Sequence, residues 1–150
     1  MFATEWTLGP IGSEEALSIR RAVFVEELGR TAETVLDGRD ELAAHLTVRL
    51  DGKAIASARL CPDAGGVRFA FIGVLAPYRK QGFGDLCARV MLDKAQRMGA
   101  ARICADVPEQ YAPYYQAFGF TAQGDAADGE LPMAVDASAI HWHSPCKDGH

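Results

Sequence analysis

The stretch Gly73-Val-Leu-Ala-Pro-Tyr-Arg-Lys-Gln-Gly-Phe-Gly-Asp85 constrains this chain more than any other. Before it runs Val67-Arg-Phe-Ala-Phe-Ile-Gly-Val74, short, apolar and aromatic, the pattern of a buried strand. After it, Phe83, Leu86, Cys87, Val90, Met91, Ala95 and Met98 fall along one broad face, while Asp85, Arg89, Asp93 and Arg97 point elsewhere. That spacing predicts an amphipathic helix, ended by Gly99. A strand that feeds a glycine-containing loop into a helix N-terminus builds an anion site. First-turn N–H groups lack helical partners, the helix dipole adds partial positive charge, and glycine lets a bulky phosphate approach the backbone. Arg79 and Lys80 are expected to add mobile positive charge.

Two common phosphate motifs do not fit. The dinucleotide fingerprint needs a third glycine where Cys87 stands, and there is no Gly-Lys followed by Ser or Thr for a nucleotide-triphosphate loop. What stands directly after the strand is Arg79-x-x-Gly82-x-Gly84.

At 150 residues the chain is long enough for one domain with a proper core. A net charge of −5 argues against a nucleic-acid partner and is compatible with an amine substrate. No apolar run reaches a membrane-spanning length, and no basic segment followed by an apolar one marks a leader. The four cysteines are widely spaced and read as reduced thiols, so a cytoplasmic setting is expected.

In chain order, residues 4–9 suggest a first strand, closed by Gly9-Pro10. Ser13-Glu-Glu15 reads as an N-cap with acids in the first turn, opening a helix to about Leu28 that Gly29 stops. Residues 30–42 are polar and contain the turn Asp37-Gly38. His45 to Leu50, Asp51-Gly52 and Ala54 to Leu60 form a hairpin signal, and Pro62 to Gly66 turns into the strand at Val67. Later come a strand from Ala101 to Asp106, a helical stretch from about Glu109 to Phe118, and a strand beginning at Phe120. A last strand is expected over Leu131 to Val135. From Ala139 the composition shifts to a tail holding His141, His143, Cys146 and His150. Its spacing is not that of a zinc finger, so a loosely docked C-terminus and no metal site are expected.

The run Val74-Leu-x-x-Tyr-Arg-x-x-Gly-x-Gly resembles the pyrophosphate-binding loop of the GNAT superfamily of acyl-CoA-dependent N-acyltransferases. Tyr114-Tyr115-Gln-Ala-Phe118-Gly119-Phe120 is similar to a second element of that superfamily, in its C-terminal half. Val23-Phe-Val-Glu-Glu27, Leu36-Asp-Gly-Arg-Asp40, Ala44-His45 and Gly129-Glu-Leu-Pro132 resemble a bacterial branch whose acceptors are mostly unassigned. The likeness covers about residues 13–136.

The resemblance implies an α/β (α+β) fold with a mixed, curved and splayed sheet of about six to seven strands and about four helices. The domain would span 1–138, with 139–150 as tail. Acetyl-CoA is the implied co-substrate, and the implied reaction is direct transfer to a primary amine of a small molecule or peptide, with no metal. Ile72, Gly73 and Val74 would pair with the pantetheine arm by backbone, and Arg79, Lys80, Gln81, Gly82, Phe83 and Gly84 would hold the pyrophosphate. The Val74 N–H would serve as oxyanion donor. Tyr115 matches the family tyrosine beside the thiol and would be the general acid. Adjacent Tyr114 points about 100° away on a helix. Many relatives carry a glutamate base on the strand before the loop, yet there is none here between Val67 and Leu75. Glu27 is then the candidate base, and Glu26, Glu27 and His45 are candidates for the acceptor pocket. The expected assembly is a monomer or homodimer. Two rivals stay open at this point: an acyl-CoA-binding sensor or adaptor without turnover, and a general phosphate or nucleotide binder.

Overall fold

A computed structural model describes residues 1–144. Seven strands form one sheet: β1 (Phe2–Leu8), β2 (Ala44–Leu50), β3 (Lys53–Asp63), β4 (Gly66–Val74), β5 (Arg102–Pro108), β6 (Thr121–Ala122) and β7 (Glu130–Asp136). The spatial order is β1-β2-β3-β4-β5-β7-β6, antiparallel throughout except for the parallel pair β4–β5. The helices are α1 (Glu14–Arg20), α2 (Ala32–Val35), α3 (Phe83–Arg97) and α4 (Ala112–Ala117). Alternation along the strands separates two cores. Leu46, Val48, Leu60, Phe69 and Ile103 pack under α3 and α4 with Met91, Leu92 and Phe118, while Ala54, Ala70 and Phe71 pack under α1 with Ile19, Val23 and Phe24. This is the mixed, splayed α/β architecture that the resemblance implies.

Three local readings differ from the structure. Ser13 does not cap α1: its backbone lies at φ −109°, ψ 19°, and its hydroxyl donates to the Gly9 carbonyl at 2.7 Å and meets the Thr7 hydroxyl. The first helix does not run evenly to Leu28. At Arg21 it widens into a π-helical segment, Arg21–Glu27, in which the Leu28 N–H donates to the Val23 carbonyl five residues back. Residues 140–144 are packed rather than loose. The His141 N–H donates to the Phe118 carbonyl at 2.8 Å, the Trp142 and His143 rings meet the Phe118 ring, and Arg89 donates to the His143 carbonyl.

The β4–β5 pair positions the site. Its ladder holds only from Gly66 to Phe69 against Arg102 to Ala105. Beyond that, β4 carries an irregularity: its register with β3 shifts between Ser57 and Arg59, opposite Phe71. Phe71 sits at φ +58°, a conformation bulky L-residues rarely adopt. β5 meanwhile stays paired to β7 as far as Pro108 and Glu130. The two neighbours therefore part company, and a gap opens between them.

Candidate active site

The gap widens into a cleft of about 760 Å³. Ile72, Gly73 and Val74 supply its β4 edge, and Tyr78, Arg79, Lys80, Phe83 and Gly84 its loop end. Pro108, Gln110 and Tyr111 stand across from them, Asp128 to Glu130 come from the start of β7, and the π-helical segment contributes Val23, Phe24 and Glu27, followed by Leu28 and Arg30. Gly73 permits this closeness, because a Cβ there would stand 3.2 Å from the Phe24 ring and 3.3 Å from a Val23 methyl.

Backbone donors face the cleft from two directions. The Leu75 N–H donates to the Ile55 carbonyl at 2.9 Å, and antiparallel pairs alternate. Val74, opposite Ala56, therefore turns its N–H and C=O away from β3, toward the side β5 has left. The Val74 carbonyl accepts from Arg79 Nε at 2.8 Å on that side. At the loop end, Gly82 takes φ +88° and starts α3 with no side-chain cap. The first bond of the helix runs from the Leu86 N–H to the Gly82 carbonyl, so the amides of Phe83, Gly84 and Asp85 have no partner inside the helix. Such a terminus suits an anion.

Arg79 is not the mobile charge expected from the sequence. Its guanidinium grips the Glu27 carboxylate with both terminal nitrogens, one of them at 2.6 Å. The same contact holds the Glu27 carboxyl below the usual carboxylate range. Arg79 thus ties the end of the π-helical segment to the end of β4.

The other expected residues divide. Gln81 donates to the Pro77 carbonyl and does not line the cleft, and neither does Glu26, which is exposed. His45 is fully buried away from it. Its Nδ1 lies 3.2 Å from Arg20 Nη2 and its Nε2 3.3 Å from the Asp40 carbonyl, and burial pushes its pKa down. Tyr115 is 1% exposed, its ring against Phe69, Phe120 and Tyr114. It borders a second cavity of about 10 Å³, deep in the gap, shared with Phe24, Phe71, Ile72, Asp106 and Glu130. Burial raises the phenol pKa well above its ordinary value, so Tyr115 stays protonated into the alkaline range. The adjacent Tyr114 instead donates its hydroxyl to Asp85.

Three charged residues of the cleft, Arg30, Asp128 and Glu130, were missed in the sequence. Glu130, at the start of β7, accepts from Arg30 Nη1 at 2.9 Å through Oε1, and burial raises its carboxyl above the usual range. Arg30 itself lies over the Phe71 ring, its guanidinium carbon 5.5 Å from the centroid, and Arg20 and Arg59 approach the same ring to 5.0 and 4.8 Å. Arg20 pairs with Asp40 at 2.7 Å and Arg59 with Asp37 at 2.6 Å, so a buried ionic cluster braces the irregular part of β4. The acid of Gly129-Glu-Leu-Pro132 carried a signal only as part of the branch resemblance; its direction depends on pairing across β5.

Among the described residues no group of three or more His, Cys, Asp or Glu side chains could hold a metal ion. Of the four tail residues weighed as ligands, Cys146 and His150 lie outside the described residues.

Comparison with known proteins agrees with this fold. The uncharacterized N-acetyltransferase YjcF of Bacillus subtilis (strain 168) is 25% identical over 107 residues, 71% of this chain and 76% of that protein. The acyl-CoA N-acyltransferase structure from Pseudomonas aeruginosa superposes with a TM-score of 0.76 at 24% identity, covering 88% of this chain and 99% of that one. Escherichia coli ElaA superposes with a TM-score of 0.77 at 20% identity, covering 89% and 99%. The profile of the acetyltransferase (GNAT) family matches residues 13–120, and by that match across most of its length the chain belongs to the GNAT family.

Proposed function

We propose that this chain transfers an acetyl group from acetyl-CoA to a primary amine of a small molecule or peptide, by direct attack within a ternary complex. The observation that carries the proposal is the splayed gap, where the outward-turned Val74 amide meets the first-turn amides of α3 along one cleft. The residues fit the co-substrate. The backbone of Ile72 to Val74 offers an unpaired strand edge to the amides of a pantetheine arm. The amides from Gly82 onward, with Lys80 nearby, suit a pyrophosphate.

The protein's own groups then divide the work. The Val74 N–H stabilises the oxyanion that forms when the amine adds to the thioester carbonyl. Tyr115 supplies a proton to the departing thiolate. Its position favours this role: an arm entering from the α3 end and running along Ile72 reaches the deep cavity that Tyr115 borders. Glu27 lines the cleft but is engaged by Arg79, which makes it a weak base; its role here is to hold Arg79 against Val74. Glu26 and His45 stand outside the cleft and take no part in acceptor binding on this reading.

The test is a panel of alkylamines, aminoglycosides, polyamines and peptides, assayed for free thiol release with acetyl-CoA. Amine-dependent thiol release is expected. Tight binding of CoA with no turnover against any acceptor would point to a sensor instead, and competition by ATP as strong as by CoA would point to a general phosphate binder.

A further inference from the structure

We propose that Glu130 is the proton acceptor for the incoming amine, and that the acceptor enters the cleft as an ammonium ion. This inference rests on the acetyl-transfer reading above and adds the base which that reading lacks.

Position carries the argument. Among the described residues, Glu130 is the one carboxylate that borders both the open cleft and the small inner cavity beside Ile72 and Tyr115. It stands at the parting of the strands, paired with Pro108 at the far end of the β5–β7 ladder, facing β4 across the gap. The other acids of the cleft are placed differently. Glu27 is gripped by Arg79, and Asp128 sits in the turn before β7, lining the cleft but not the deep cavity.

Chemistry agrees with position. An alkylamine is an ammonium ion near neutral pH and cannot attack until it loses a proton. A carboxylate attracts the ammonium and takes that proton, leaving a neutral amine whose lone pair forms the C–N bond. The C–S bond then breaks and the thiolate receives a proton from Tyr115; the newly acylated nitrogen gives up its second proton, which restores the Tyr115 phenol through water, and Glu130 returns its own proton to water. A half-buried carboxyl above the usual range is a better proton acceptor than an exposed one. Arg30 is its positioning residue: it holds Oε1 at 2.9 Å and is itself laid over Phe71. The charged groups around Glu130 are Arg30, Asp106 and Asp128, with the Arg79–Glu27 pair on the opposite wall. Arg30 favours the ionised form, and Asp106 and Asp128 oppose it.

The experiment compares wild type, Glu130→Gln and Arg30→Gln with the best alkylamine of the panel, recording kcat/KM from pH 6 to 10 and CoA affinity by calorimetry. Glu130→Gln is expected to lose roughly 10²–10⁴-fold in kcat/KM near neutrality. The loss should shrink as pH rises past the acceptor's own pKa, where the amine is already neutral, and CoA affinity should stay within about twofold. Arg30→Gln removes the cation that favours ionisation, so its acidic limb should move to higher pH rather than vanish. Wild-type activity in Glu130→Gln, or a loss equal at every pH, overturns the role of Glu130 and leaves the acetyl-transfer reading standing. A wild type that turns over no amine of the panel overturns both.

Discussion

Adjacent tyrosines in different surroundings show how much is decided at single residues. Tyr115 borders the small inner cavity, and Tyr114 donates to Asp85, which Arg89 also holds at 2.9 Å. Tyr115→Phe keeps the ring and removes the proton. It should lower turnover by roughly 10²–10⁴-fold, with acetyl-CoA affinity little changed; near-normal turnover with chemistry rate-limiting would make Tyr115 only a wall. Tyr114→Phe should leave turnover intact and cost about 1.5–3 kcal/mol of stability, the worth of a hydrogen bond to a charged group. His45 makes a separate prediction. Burial depresses its pKa in the folded state, so the unfolded chain takes up a proton first as pH falls. Its contribution is complete above the unfolded pKa of about 6.5 and is lost as pH falls from there toward the folded pKa. Urea titrations at pH 7.5 and pH 5.5 should show a smaller loss of stability in His45→Gln than in wild type. Identical losses would show that His45 does not titrate on unfolding.

Among the elements, the start of α3 and the irregular part of β4 do different jobs. The first offers backbone amides, and the second opens the space in front of them. Gly84 is buried in the first turn of α3 and lines the cleft. Gly84→Val places a branched side chain where a phosphate would approach. It should abolish CoA binding, by calorimetry, in a protein whose circular dichroism is that of wild type; unchanged affinity in that folded variant would remove the loop from the cofactor site. The π-helical segment matters to the same space. It sets Val23 and Phe24 on β4 within reach of Gly73, and it ends at Glu27, where Arg79 ties it down.

For the molecule as a whole, residues 140–144 are part of the body. Ile140 packs on the main core, and the Trp142 and His143 rings cover Phe118, which has no exposed surface. All of this lies on the α4 side and none of it lines the cleft. Deleting residues 140–150 should therefore lower unfolding free energy by roughly 2–4 kcal/mol, from apolar surface returned to water, and leave CoA affinity unchanged. A truncated protein as stable as wild type would show that this packing contributes nothing, and a lost affinity would show that the segment reaches the site.

The sequence alone determined the parts whose causes are local. Glycine at positions 82 and 84, the apolar periodicity of α3 and the short apolar run of β4 are one-dimensional signals, and from them the loop, its flanking elements and the family resemblance could be read. The hairpin at Asp51-Gly52 was legible for the same reason. Tertiary structure decided what depends on two segments meeting. The carboxylates available to the cleft could not be ranked along the chain, because Glu27 is occupied by a residue 52 positions away and Glu130 is aimed by its pairing with β5 and by an arginine 100 positions away. Ser13 failed as a cap because Gly9 and Thr7 claimed its hydroxyl, and His45 lies away from the cleft because a buried arginine and aspartate enclose it. Local propensity writes the elements, and competition for partners across the fold selects which side chains are left facing the cleft.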